Sequence, residues 1–209
     1  MQADITIHIN KNGWGNAPDV IRLIDLGLPS GTLWANANLG FKGSFSDLGK
    51  RYSWGTLYNQ EDDYFNNEDP SSPGNTAKMF RCQDEGYCDG ICLKKEFDAA
   101  HREWGGKWRT PSIWQHKELC AFCDIEHYVG PNHLGWKFTS WKNGNILYIP
   151  MSRFNSDENG KFILLDDTEA YWTRTYALKE MAWAFDKECN YSMCKTALPI
   201  RPVWMPDLK

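Results

Sequence analysis

Two apolar runs, Trp136-Lys-Phe-Thr-Ser-Trp141 and Ile146-Leu-Tyr-Ile149, are separated by a segment carrying Asn143-Gly144. That arrangement specifies a tight hairpin, because the turn needs positive φ, which Asn and Gly adopt at little cost, and the flanking runs alternate with the period of a strand. Asn159-Gly160 before Phe162-Ile-Leu-Leu165 repeats the signal. The C-terminal half is therefore built on antiparallel strands, and the rest of the chain has to be arranged around them.

Upstream, Asp4-Ile-Thr-Ile-His-Ile9 alternates as a half-buried strand, a Gly/Asn/Pro cluster at 12–18 breaks the chain, and extended patterns resume at 20–26 and 32–35 around the turn Leu28-Pro29-Ser30-Gly31. Residues 59–90 are acidic, Gly-rich and Pro-containing without a sustained period, and read as long loops. Two amphipathic helices follow. The first runs over 94–104, with Phe97, Ala100 and Trp104 on one face and Gly105-Gly106 as the stop. The second runs over 110–123, opened by Thr110-Pro111, with Ile113, His116, Cys120 and Cys123 on a stripe beside Leu119 and Phe122. Short strands at 170–174, 181–186 and 198–204 complete an order of strands, two helices and a meander, which is α+β and not alternating βαβ. The expected division is an N-terminal strand or extension over 1–19 and a single domain over 20–209.

With 209 residues, 42% hydrophobic and a formal charge of −4, the composition is that of an ordinary soluble globular chain, and no run reaches the ~20 apolar residues a bilayer needs. Lys and Arg are not clustered, so nucleic acid is not an expected partner, and neither is membrane insertion. The start, Met-Gln-Ala-Asp-Ile-Thr-Ile-His, carries no basic segment followed by an apolar one, so secretion would need another route or a signal already removed. Eleven Trp, nine Tyr and ten Phe exceed what a core of this size buries, which places some rings on a surface.

Catalytic signatures are missing. The sequence has no phosphate loop, no dinucleotide-binding Gly pattern, no His-Glu-x-x-His and no Gly-x-Ser-x-Gly, and none of its five His is assigned a catalytic role. Seven cysteines cannot all pair within one chain. Cys120 and Cys123, with Cys88 and Cys92, have spacings that would suit a four-thiolate metal site, but the helical spacing equally describes core thiols or one disulfide, and no metal or cofactor is assigned. The acidic run 61–69 lacks the regular alternation of oxygen ligands and reads as a solvated loop.

Several segments taken together resemble one family. Ile24-Asp-Leu-Gly-Leu-Pro-Ser-Gly-Thr-Leu-Trp34 continuing to Gly40, Tyr52-Ser-Trp-Gly55, Trp104-Gly-Gly-Lys-Trp-Arg-Thr-Pro111, Gly144-Asn-Ile-Leu-Tyr-Ile-Pro150, Ala170-Tyr-Trp-Thr173 and Pro199-Ile-Arg-Pro-Val203 are similar to the Fibrobacter-type major paralogous domain of gut Bacteroidetes and their phages. The likeness implies a C-type-lectin-like fold, with two helices flanking a small mixed, mostly antiparallel sheet, long loops and adjacent chain ends. Thr56 after Trp54-Gly55 and Met151-Ser-Arg153 depart from the family pattern, and the Glu-Pro-Asn, Gln-Pro-Asp and Trp-Asn-Asp triplets of calcium-dependent lectins do not occur.

Related lectin-fold proteins include the variable proteins of diversity-generating retroelements, in which ligand choice changes shortly before the C-terminal strand. Here that region is 174–193. Its candidate ligand-binding residues are Arg174, Tyr176, Lys179, Glu180, Trp183, Asp186, Lys187, Asn190 and Tyr191, a mixture of rigid aromatic anchors and adaptable polar groups. Trp183 fits either the core face of its strand or the surface. The resemblance implies a non-enzymatic adhesin or receptor-binding module, extracellular, on a cell surface or on a virion, binding a protein or glycan. Two alternatives stand beside it. One is an oxidase similar to formylglycine-generating enzymes, using Cys189 and Cys194. The other is a virion-decoration or pilus subunit, or a homo-oligomer, assembling through strand 4–9.

Overall fold

The computed structural model describes residues 14–44, 46–55, 86–130, 132–156, 162–168 and 170–204, with the backbone course alone for 153–156 and 162–167. The strand expected at 4–9, the acidic run 61–69, Cys82 and the Asn159-Gly160 turn lie outside these residues.

The first three strands are β1 (Leu23–Asp25), β2 (Leu33–Ala35) and β3 (Arg51–Tyr52). After them come a small hairpin of β4 (Cys88–Asp89) and β5 (Cys92–Leu93), one turn of 3-10 helix (Lys95–Phe97), and helix α1 (Ala99–Trp104). Next follow β6 (Trp108–Arg109), helix α2 (Ile113–Phe122), β7 (Cys123–Val129) and β8 (His133–Ser140). The chain ends through β9 (Ile146–Ser156), β10 (Phe162–Asp167), β11 (Tyr171–Leu178), β12 (Met181–Phe185), β13 (Cys189–Met193), β14 (Leu198–Pro199) and β15 (Val203–Trp204).

The chain is α+β and mostly strand. Among the described residues every strand pairing is antiparallel, and four sheets form with the orders β1-β2-β15-β6, β10-β9-β8-β7, β13-β12-β11-β5-β4 and β14-β3. Two helices flanking one small sheet is thus not the arrangement observed. α1 lies beside β6, whereas α2 lies at the junction of two sheets, against β7 and β8 on one side and β11 to β13 on the other. The reason is local. Cys123 is both the C-cap of α2 and the first residue of β7, so the helix runs into a sheet edge with no loop between them. The hairpin around Asn143-Gly144 forms, but over the longer connection 141–145 in which Gly144 takes positive φ, at 73°, and Asn143 does not; its strands are longer than the alternation alone marked.

The helix expected over 94–104 is interrupted at Asp98, which is extended (φ −92°, ψ 112°). Its fully buried carboxylate accepts hydrogen bonds from the Ala100 and Thr110 amides, from Thr110 Oγ1 at 2.7 Å and from Arg109 Nε at 2.7 Å. A charge removed from water must be surrounded in this way, and satisfying it costs one helical residue. α2 opens at Ser112 and not at Thr110-Pro111, because the Thr110 hydroxyl is taken by Asp98; Ser112 Oγ accepts from the Gln115 amide and Gln115 Oε1 accepts from the Ser112 amide, a capping box.

Two apolar cores form. The larger one gathers Trp54, Trp104, Trp108, Trp172 and Trp204, with Trp14 edge-on to Trp108 at 5.1 Å. The second gathers Trp34, Leu119, Phe138, Leu147, Tyr171 and Phe185. Six of the eleven tryptophans are buried, while Trp114 and Trp141 remain more than half exposed. The closing strand β15 sits between β2 and β6, so the last described strand is held by the early part of the chain. Just before it, Arg201 is fully buried and donates to the Ala35 carbonyl; burial pulls its pKa down to about 10 while Tyr171 beside it holds it up.

Candidate ligand-binding face

β12 alternates cleanly at its start. Ala182 and Ala184 are buried in the larger core, while Met181 and Trp183 stand half-buried on the other side. The antiparallel register with β13 sets Met193 opposite Met181 and Tyr191 opposite Trp183. Residues directly opposite on one face are in side-chain contact range. The Trp183 and Tyr191 rings are edge-to-face, with centroids 6.0 Å apart and planes at 86°, and Tyr191 is 52% exposed. From α2, Lys117 places its ammonium 5.6 Å from the centre of the Trp183 ring, a cation–π contact that ties the helix to the strand pair. Trp114 lies one helical turn before Lys117, on the same side of α2, and is 52% exposed. Together these residues make an outward strip of rings, two thioethers and one cation.

The nine residues expected to bind ligand divide into separate environments. Trp183 and Tyr191 form the strip, and Asn190 is exposed beside Tyr191, whose amide it accepts. Lys179 and Glu180 make the β11–β12 turn, where Lys179 takes φ 49°, the one positive φ of a described non-glycine residue. Asp186 and Lys187 occupy the β12–β13 connection. Asp186 Oδ1 accepts from the Glu188 amide at 2.6 Å, and Lys187 extends over the Trp136 ring of β8 at 5.6 Å. Tyr176 does not belong to this face. It is buried, packs near Trp54, and donates its hydroxyl to the Lys179 carbonyl at 2.5 Å. Arg174 is also turned away, because β11 bulges between Trp172 and Tyr176, and it donates to the Thr110 carbonyl at 2.7 Å and to Gln115 Oε1 at 2.8 Å. Sequence reasoning missed Trp114, Lys117 and Met193. The stripe 113-116-120 on α2 already leaves position 114 away from it, and a tryptophan off the apolar side of a helix is the signal that was there to be read.

Beside the strip, on the same face of β12 and β13, lies a thiol–imidazole cluster. His116 is fully buried and stacked on Phe185 at 4.2 Å, with Nδ1 3.4 Å from Cys189 Sγ and Nε2 3.5 Å from Cys120 Sγ. Burial pulls the imidazole down to about 4 against the weaker opposing effect of Asp186, and pushes the Cys120 thiol up to about 12, with Cys189, Cys123 and Asp186 adding to that rise. The Cys189 thiol is raised as well. At neutral pH the cluster is therefore a neutral ring between protonated thiols. Cys189 and Cys194 do not meet. Cys189 is opposite Phe185 and the Cys194 amide bonds to the Glu180 carbonyl, five residues further along the neighbouring strand, or ~16 Å at ~3.3 Å per residue. Cys88 is disulfide-bonded while Cys92, Cys120, Cys123, Cys189 and Cys194 are free, so the four-thiolate set suggested by spacing does not assemble. Among the described residues no group of three or more His, Cys, Asp or Glu is arranged to hold a metal ion, and no helix is long and apolar enough to cross a membrane.

The chain matches no protein-family model, no curated protein and no solved structure with which it was compared.

Proposed function

We propose that this chain is a non-enzymatic ligand-binding module of the C-type-lectin-like kind, an adhesin or receptor-binding domain exposed on a cell or virion surface, and that it takes a protein or glycan ligand on the outer face of β12 and β13. The reading is supported by an element order of strands, two helices and a strand meander, by a closing strand held between β2 and β6, and by the family-like motifs that build those contacts. The observation that carries it is the Trp183–Tyr191 pair. Half-buried Trp183, whose strand turns Ala182 and Ala184 into the core, meets exposed Tyr191 of β13 edge-to-face and is braced by Lys117. Rigid aromatic anchors lose little side-chain entropy on binding and carry most of the affinity where they occur, roughly 2 kcal/mol or more each on truncation.

The test compares the wild-type chain with Trp183→Ala/Tyr191→Ala on a glycan array and on intact gut-bacterial cells. Selective binding by the wild type, reduced at least tenfold in a variant with an unchanged melting temperature, supports the face. Equal binding by the two proteins removes it.

A further inference from the structure

Arg174 points away from the aromatic strip into a second concavity. The β4–β5 hairpin, the 3-10 turn, β6 and the bulge of β11 enclose an open cleft of about 490 Å³, within the size range of small-molecule sites. Arg109 and Arg174 line it from below, and Lys94 and Lys95 line its rim. Arg109 is committed on one side, with Nε on the buried Asp98 carboxylate and Nη2 on the Leu93 carbonyl at 2.7 Å. Arg174 is fixed only by neutral acceptors, the Thr110 carbonyl and the Gln115 amide oxygen, with the Cys92 sulfur nearby. Neither it nor Lys94 or Lys95 forms an ion pair with a described residue. A guanidinium largely withdrawn from water, whose nearest carboxylate, Asp98, is already paired with Arg109, is an incomplete arrangement. Burial and the adjacent Arg109 press its pKa downward, against the smaller opposing effects of Cys92 and Asp98.

We propose that this cleft is an anion subsite, separate from the β12–β13 face, that binds an acidic sugar unit through its carboxylate or sulfate group. The oxyanion lies against Arg174 and Arg109, whose planar forks match such groups, while Lys94 and Lys95 add positive potential at the mouth. Asp89 and Glu96 also line the cleft. They would repel a bare inorganic anion, but they accept hydrogen bonds from the hydroxyls of a sugar ring. Among the described residues Leu93 is the one aliphatic side chain in the lining and no aromatic ring contributes to it, so these residues offer an acidic peptide no well for an anchoring side chain.

The experiment is a titration of the isotope-labelled full chain, followed by amide and arginine side-chain resonances, with D-glucuronate, a sulfated galactose, D-glucose and an acetylated, amidated Asp-Asp dipeptide. The expected result is saturable shifts of Leu93, Lys94, Lys95 and the Nε–H groups of Arg109 and Arg174 with one or both acidic sugars, at least tenfold weaker with glucose and with the dipeptide. Which acidic sugar binds distinguishes a carboxylate from a sulfate subsite. Lys94→Gln/Lys95→Gln, at positions away from the core, weakens binding about fivefold, whereas Trp183→Ala/Tyr191→Ala leaves it intact. Glucose or the dipeptide binding as well as the acidic sugars, no shifts with either acidic sugar, or indifference to the lysine substitutions would overturn the proposal.

Discussion

His116 and Cys189 meet across the α2–β13 junction, imidazole Nδ1 3.4 Å from the thiol sulfur, two residues along the same face of β13 from Tyr191. The aromatic face thus adjoins a pair, buried His116 and half-buried Cys189, that stays uncharged at neutral pH, and that pairing makes the stability of the face depend on acidity.

The unfolded imidazole ionises near 6.5, whereas the folded one stays neutral down to about 4, so below 6.5 the unfolded chain holds the extra proton. The contribution of His116 is complete above that value and is lost as the pH falls toward 4. Between about pH 7 and about pH 4.5 it should cost ~2.5 kcal/mol, on top of whatever the carboxylates contribute. His116→Phe keeps a ring on Phe185 and has no proton to gain, so its urea-unfolding free energy should fall less over the same interval, by about that amount. Parallel slopes for the two proteins would mean that His116 charges freely in the folded state.

The thiols should be unreactive while the chain is folded. Burial pushes Cys120 and Cys194 up to about 12 and Cys123 up to about 11. Iodoacetamide at mildly alkaline pH, read by peptide mass spectrometry, should label these three sites two orders of magnitude or more slowly in the native chain than in guanidinium. Rapid native labelling of Cys120 would show its sulfur to be solvated.

Asp98 organises the approach to both helices and fixes Arg109. Removing its carboxylate leaves the Ala100 and Thr110 donors unsatisfied and the guanidinium without its counter-charge. Asp98→Ala should cost about 4 kcal/mol in denaturant unfolding and Asp98→Asn about half that, because the amide still accepts some of the bonds. A loss under ~1 kcal/mol for Asp98→Ala would show that the network contributes little to stability.

Trp183 and Tyr191 should be coupled yet individually dispensable for folding. A double-mutant cycle on thermal or urea unfolding is expected to give ~0.5–1 kcal/mol of coupling, the range for an edge-to-face cross-strand pair. Additive single substitutions would mean that the rings do not touch in solution.

Much of the chain's local structure was legible residue by residue. The Asn143-Gly144 signal placed its hairpin and the strand pattern over 181–186 marked β12, because turn chemistry and strand period act over a few residues, whereas the cap of α2, expected at Thr110-Pro111, is Ser112 with Gln115. The site was only partly legible. Trp183 and Tyr191 were named as candidates, but their pairing depends on the register between two strands, and Lys117 reaches them from a helix far away in sequence.

Length, α+β character, the Asn-Gly hairpin and the two-helix interlude were determined by the sequence alone, through interactions between near neighbours. The tertiary structure decided that Tyr176 turns inward, that Arg174 leaves the aromatic face for a cationic cleft, and that α2 lies between two sheets instead of flanking one. Each of those outcomes rests on contacts between segments distant in sequence: a bulge in β11, a carboxylate under Arg109, a helix that runs directly into β7. Periodicity assigns a side chain to one side of its own element. It carries no information about which other element will cover that side.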